Sequence, residues 1–240
     1  MEGAAPMKLI PFLFLFSFVS GENIPFDVGE ILNYDASFSN IKAARGSLKV
    51  LDKETINGVK TYHVQFTAYT KGIIDYLFPI DDVIDLWLTE DSLIPVRVKT
   101  DIHEGKYHKK RNLDLYHDLG YAIVGNDTIP MKSGTHSPYS LFYFFRNQDV
   151  SIIDGETLKT IQGKTITPLK VNVEENIQIS VPAGDFLCSK VTPERTDKKQ
   201  FKNKASMFIL FSNDDNRYPV KIWLKLKFGA LVLELDEIIN

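Results

Sequence analysis

Ser47-Leu-Lys-Val-Leu51, the pair Asn57-Gly58, and Thr61-Tyr-His-Val-Gln-Phe-Thr-Ala-Tyr69 decide how this chain folds. Apolar and polar residues alternate on both sides of the pair, as in strands with one buried and one wet face. Asn-Gly suits the positive-φ positions of a tight hairpin turn. The stretch therefore reads as an antiparallel hairpin.

The same pattern recurs in both directions. Upstream, Glu30–Phe38 alternates imperfectly. Downstream, Val83–Leu88 and Pro95–Ile102 continue it, and Glu104-Gly105 turns the chain into Tyr107–Leu115. In the C-terminal third, Val171–Val173, Ile177–Val181, Phe186–Val191, Met207–Phe211, Val220–Phe228 and Ala230–Leu235 alternate. Glycine and aspartate punctuate these runs at roughly ten-residue spacing, as a meander of hairpins requires.

One segment reads as helix. Ser137-Pro138 supplies an N-cap and a proline at the first helical position. Tyr139–Asn147 then carries five aromatics within seven positions, so the helix must bury most of its surface. The expected fold is mainly β: a large curved antiparallel sheet of about ten to twelve strands, an open half-barrel, with this aromatic-rich helix on the concave side. No Pro-, Gly- or Ser-rich linker interrupts residues 22–240, which read as a single β-rich domain with a softer seam at 128–136.

Residues 1–21 read as a signal peptide. Lys8 precedes an apolar run at 9–19, shorter than the about 20 residues a membrane helix needs and of the length of a signal h-region. The cut is placed near Gly21/Glu22. No cysteine follows to carry a lipid anchor, and no transmembrane segment is expected in the mature chain. The expected location is outside the cytoplasm, in the periplasm.

Of 240 residues, 44% are hydrophobic, with 28 Lys and Arg against 31 Asp and Glu, for a net charge of −3. That excludes a disordered chain and argues against nucleic-acid binding, which rewards a strong positive field. The single cysteine, Cys188, cannot form an internal disulfide and reads as a buried small hydrophobe.

Signatures of known chemistry are missing: no G-x-S-x-G, no phosphate-binding loop, no dinucleotide fingerprint. His103-Glu104 opens like the zinc-protease H-E-x-x-H, but position 107 is Tyr and Gly105 marks a turn. His103, His108 and His117 on adjacent strands read either as metal ligands or as solvated hairpin histidines. Asp81, Asp82 and Asp85 read either as an acid–base group or as a turn entering a strand, with Asp82 and Asp85 on opposite faces. Asn213–Arg217 reads as a polar turn rather than a calcium loop, with Arg217 reaching back to an aspartate. Lys106–Arg111 forms one basic arm; Lys198, Lys199, Lys202 and Lys204 form another. These arms suit either anionic headgroups or charged sheet edges. No cofactor and no metal is called for.

The aromatic inventory is more distinctive. Tyr76, Phe78, Trp87, Tyr139, Phe142, Tyr143 and Phe145 are the expected apolar lining of the concave side, and Asp75, Asp82, Arg146 and Arg217 its polar rim. The lining encloses either a filled core or a cavity for an acyl chain or other apolar ligand.

Five segments in order resemble an exported bacterial family known as domain of unknown function DUF3108: Pro25–Tyr34, Gly72–Asp82, Ser137–Arg146, Val181–Cys188 and Phe211–Pro219. The tryptophan often found before the Ser-x-Asp turn is Phe211 here. The resemblance implies a signal-bearing envelope protein of the Bacteroidetes type with no established activity, so it supplies no catalytic residues. At the level of architecture, the half-barrel is similar to periplasmic lipoprotein carriers, an analogy that does not fix function. Three readings follow: a non-catalytic binding or carrier module for an apolar or lipid-like ligand, an envelope adaptor that binds a protein partner at a sheet edge, or a hydrolase or isomerase using Asp75 and Asp82.

Overall fold

The hairpin at Asn57-Gly58 is β2 (Ile41–Ile56) against β3 (Val59–Thr70) in the computed structural model. That model describes residues 24–38, 41–77, 79–150, 152–197, 206–226 and 229–240. Asn57 and Gly58 both take positive φ, 51° and 82°, as a two-residue turn requires. Along β3, Tyr62, Val64 and Phe66 are buried while their neighbours stay partly open. The expected signal peptide (1–21) and second basic arm (Lys198, Lys199, Lys202 and Lys204) lie outside the described residues, as does Phe78.

The first half continues with β1 (Ile31–Phe38), β4 (Asp81–Thr89), β5 (Pro95–Glu104), β6 (Tyr107–Tyr116), β7 (Tyr121–Val124) and β8 (Asp127–Pro130). The second half holds β9 (Thr157–Gln162), β10 (Thr165–Val181), β11 (Gly184–Arg195), β12 (Ser206–Ser212), β13 (Pro219–Leu226) and β14 (Gly229–Ile239). All belong to one antiparallel sheet of 14 strands, ordered β8-β7-β6-β5-β4-β3-β2-β1-β14-β13-β12-β11-β10-β9. Each strand pairs with its neighbour in sequence. The exception is β8 and β9, which do not pair with each other; β14, besides pairing with β13, pairs with β1 and joins the two halves.

The sheet curls without closing into a barrel. β8 and β9 are its edges, and the connection between them crosses the gap. His136 lies parallel to Thr160: its N–H donates to the Lys159 carbonyl at 2.7 Å, and its carbonyl accepts from Ile161 N–H at 2.8 Å. Lys164 and Asp127 add an exposed ion pair at 2.6 Å across the same seam.

Two expectations need correction. The strand number exceeds the expected ten to twelve because β7, β8 and β9 span only four to six residues each, too short to show a clear period. A second helix also exists: α1 (Gly72–Leu77) links β3 to β4.

The aromatic helix, α2 (Leu141–Arg146), lies inside the curve and buries Leu141, Phe142, Tyr143 and Phe145. Phe142 and Tyr143 pack on Phe66 of β3, and Phe145 packs on Phe211 of β12. Regular helix starts later than expected, because residues 138–140 form a turn. The N-cap of α2 is Ser140, with no side-chain cap bond, rather than the expected Ser137; Ser137 closes the turn before it, where Ser140 N–H donates to Ser137 Oγ and Ser137 N–H donates to Ser140 Oγ, both at 3.0 Å. The pair satisfies two backbone donors of that buried turn.

Candidate functional site

Between α2 and the sheet lies a cavity of about 440 Å³. Its apolar wall comes from alternation in register. Leu48, Phe66 and Ile84 are cross-strand partners on β2, β3 and β4, and Val98 pairs with Leu113 one step away. Ile222, Leu224, Leu231 and Leu233 of β13 and β14 form the facing wall, and Pro138, Tyr139 and Phe142 line it from the helix.

One end of the cavity is polar. Asp82, Glu104, Tyr107, Lys109 and Arg111 line it there, and all but Asp82 are exposed. Thr100 pairs with Arg111 and Ile102 with Lys109, so both basic side chains share the inward parity of the apolar residues. The charges gather around the Tyr139 phenol. Burial raises its pKa, Asp82 and Glu104 add to the rise, and Arg111 opposes it. Burial also pushes the Asp82 carboxyl up to about 6; the His103 N–H that donates to it at 2.8 Å opposes the rise, and Glu104 adds to it.

The expected lining residues divide. Tyr139 and Phe142 line the cavity, and Asp82 stands at its polar end. Tyr143 and Phe145 are buried in the packing behind it and do not line it. Tyr76 is 88% exposed on α1, on no cavity wall. Asp75, on the same helix, accepts from Thr70 Oγ1 at 2.8 Å, and that hydroxyl accepts from Ile80 N–H, so it fastens a connection rather than a rim.

Trp87 belongs to the outer face. Ile84, Leu86 and Leu88 of β4 point inward, so Asp85 and Trp87 point out. Its ring stacks on His63 at 4.4 Å, and its Nε1–H donates to Glu54. His63 sits between Asp85 (3.0 Å) and Glu54 (2.9 Å). The Asp85 hydrogen bond holds the imidazole pKa above its ordinary value against the effect of burial, and Glu54 adds to the rise. Asp82 inside and Asp85 outside match the opposite faces read from sequence.

Arg146 is not on a rim: it is 1% exposed, at the centre of the fold. Its Nη1 and Nη2 donate to Glu30 Oε1 and Oε2 at 2.6 and 2.8 Å. The carbonyls of Pro25 and Asn216 accept further bonds, and the rings of Phe26, Tyr143 and Tyr218 surround the guanidinium. Arg217 does not reach an aspartate within its turn either. Its Nη1 donates to the Arg146 carbonyl at 3.0 Å, while Asp214 Oδ1 accepts from the backbone N–H groups of Asn216 and Arg217.

A buried Ser140–His136 contact (Oγ to Nδ1, 3.4 Å) has the residue types of a nucleophile and base. Ser140 Oγ, however, donates to the Ser137 carbonyl at 3.1 Å, and neither side chain lines the cavity. Burial, with a smaller effect from His117, holds the His136 pKa down to about 4.

A family model described as protein of unknown function (DUF3108) matches residues 33–236. The chain belongs to this family. Family membership fits the order of segments noted in the sequence, and no catalytic family is indicated. A β-barrel-like protein of domain of unknown function DUF1849 from Brucella abortus is similar in fold, with a TM-score of 0.57 at 13% identity, covering 88% of this chain and 97% of that one. A candidate lipoprotein from Parabacteroides distasonis aligns at a TM-score of 0.43 and 13% identity, covering 90% and 97% of the two chains. No curated protein matches the sequence. Among the described residues, no helix of this family member is long and apolar enough to cross a membrane.

Proposed function

We propose that this protein is a non-catalytic binding or carrier module of the bacterial cell envelope, working in the periplasm on an apolar or lipid-like ligand. The cavity between α2 and the sheet carries this reading. Its volume of about 440 Å³ falls in the range of small-molecule sites, about 300–1,000 Å³. An apolar tail against Phe66, Ile84 and Phe142 leaves a polar end group beside Lys109, Arg111, Glu104 and Asp82. Each methylene withdrawn from water contributes about 0.8 kcal/mol, so a tail of about ten supplies roughly 8 kcal/mol before ordering costs.

The adaptor reading has less support. β8 is four residues long and ends in Pro130, and the outer edge of β9 already takes the His136 bridge. The hydrolase reading loses the pairing of Asp75 with Asp82, because Asp75 does not line the cavity.

The test is native mass spectrometry of protein purified from its own host, with titration by a fluorescent fatty acid. A co-purifying lipid and saturable uptake are expected. Ala68→Trp, which fills the cavity from β3, should abolish uptake while the thermal transition survives. Absence of both lipid and uptake in the wild-type chain would overturn the proposal, as would unchanged uptake in a folded Ala68→Trp variant.

A further inference from the structure

The outer face of the β5–β6 hairpin carries a group of side chains that the cavity does not use. The hairpin turns at Gly105-Lys106, where Gly105 has φ of 58°, and its register sets His103 opposite His108 and Asp101 opposite Lys110. Ile102 and Lys109, between them, point to the cavity, so Asp101, His103 and His108 share the opposite face. The two imidazole rings lie 3.7 Å apart, tilted by 36°. Their Nε2 atoms converge on one oxygen, Asp101 Oδ1, at 2.9 and 3.1 Å.

We propose that Asp101, His103 and His108 form a surface site for one late first-row divalent transition ion, with Zn²⁺ as its representative. One ligand atom from each residue lies within 4.8 Å of the other two. Zinc–nitrogen and zinc–oxygen bonds of about 2.0–2.2 Å in a tetrahedral shell put adjacent ligands about 3.3–3.6 Å apart, so the three groups need open by only a few tenths of an ångström from the two nitrogen–oxygen separations to hold the ion. Two imidazoles and a carboxylate suit Zn²⁺, Ni²⁺ or Cu²⁺, whereas Ca²⁺ and Mg²⁺ prefer all-oxygen shells. The histidines stand on directly paired strand positions, so little ordering remains for the ion to impose. Lys110 Nζ holds Asp101 Oδ2 at 2.8 Å and leaves Oδ1 to the rings. Asp82 accepts the His103 backbone N–H at 2.8 Å and fixes that strand position. Both side chains remain partly exposed, so water can complete the coordination.

In the absence of an ion, the same geometry describes two imidazole N–H groups donating to one carboxylate oxygen. When the ion binds through the two Nε2 atoms, each neutral imidazole carries its single N–H proton on Nδ1 instead, where it faces water or a neighbouring acceptor. The other described histidines are engaged elsewhere: His63 with Asp85 and Glu54, His117 with the Pro95 carbonyl, and His136 in the interior. An ion at this site ties β5 to β6 on the side opposite Glu104, Tyr107 and Lys109, and so stiffens the polar end of the cavity.

The test uses the full chain without a polyhistidine tag, freed of metal with a chelator and titrated calorimetrically with Zn²⁺. Co²⁺ serves in parallel as a reporter of coordination through its visible absorption. One Zn²⁺ per chain is expected. His103→Ala and His108→Ala should each weaken binding about tenfold or more. No saturable binding up to about 1 mM Zn²⁺, the bound for a millimolar Kd, would overturn the proposal. So would binding that the double variant His103→Ala/His108→Ala retains within twofold. Should the variants fail to fold, imidazole NMR signals of the wild-type chain decide: shifts at His103 and His108 with Zn²⁺ support the site, and unmoved signals overturn it.

Discussion

Replacing Arg146 with methionine removes the charge that Glu30 meets inside the protein. Glu30 is 4% exposed and Arg146 1%, so neither group has water to fall back on. The guanidinium also bonds the Pro25 and Asn216 carbonyls, which methionine cannot do. Stripping one partner from such a pair costs about 3–5 kcal/mol, because the remaining charge stays buried without compensation. At about 2–4 °C of melting temperature per kcal/mol for a chain of this size, the expected fall is about 6–20 °C. The double variant Glu30→Met/Arg146→Met should lose less than the two single variants together, since a neutral, packed replacement restores much of the balance. Urea titrations of the wild type, both single variants and the double variant measure this directly. A single-variant cost below about 1 kcal/mol, or strict additivity in the double, would refute the reasoning.

Further predictions follow from the same structure. Tyr143 Oη is buried without a hydrogen-bond partner among the described residues, so Tyr143→Phe should leave stability unchanged or raise it by about 1 kcal/mol; a loss of that size in urea titration argues for a hidden partner. His63 has a raised folded-state pKa, so its contribution to stability is complete below the unfolded value of about 6.5 and disappears as pH rises through the folded value. Wild type should therefore lose more stability than His63→Gln between these limits, and an NMR titration placing the His63 pKa at or below about 6.5 contradicts the prediction. Arg111→Glu at the polar end of the cavity should weaken uptake of an anionic fatty acid several-fold more than uptake of its neutral ester, measured by fluorescence; equal effects would mean the headgroup lies elsewhere.

Much of the fold was legible because strand alternation is local. The Asn57-Gly58 hairpin and the β4 faces follow from residues within a few positions of one another. Trp87 is assigned to the outer face by parity with Asp85 rather than with Leu86, a local signal that its aromatic character alone does not carry. Tyr76 is an aromatic expected on the lining, yet a short apolar run does not distinguish strand from helix, and here the run forms α1 with Tyr76 exposed. Arg146 offered no local sign of its fate, since Glu30 lies 116 positions away. The basic residues at the cavity mouth could be assigned from the parity of β6, but their meeting with Tyr139 and the Leu231–Leu233 wall depends on the curl of the whole sheet. The metal candidate shows the same division: the histidines were visible in sequence, while replacement of His117 by Asp101 came from register.

The split between β8 and β9 bears on how something oily could get in. A continuous cylinder must unzip an entire ladder to change its girth. This one behaves as a cut ring: among the described residues, separating its lips forfeits two backbone hydrogen bonds at His136 and one exposed ion pair, together about 1–4 kcal/mol. Every other rung can stay made while the ring springs wider, so admitting a bulky guest does not require the protein to unfold.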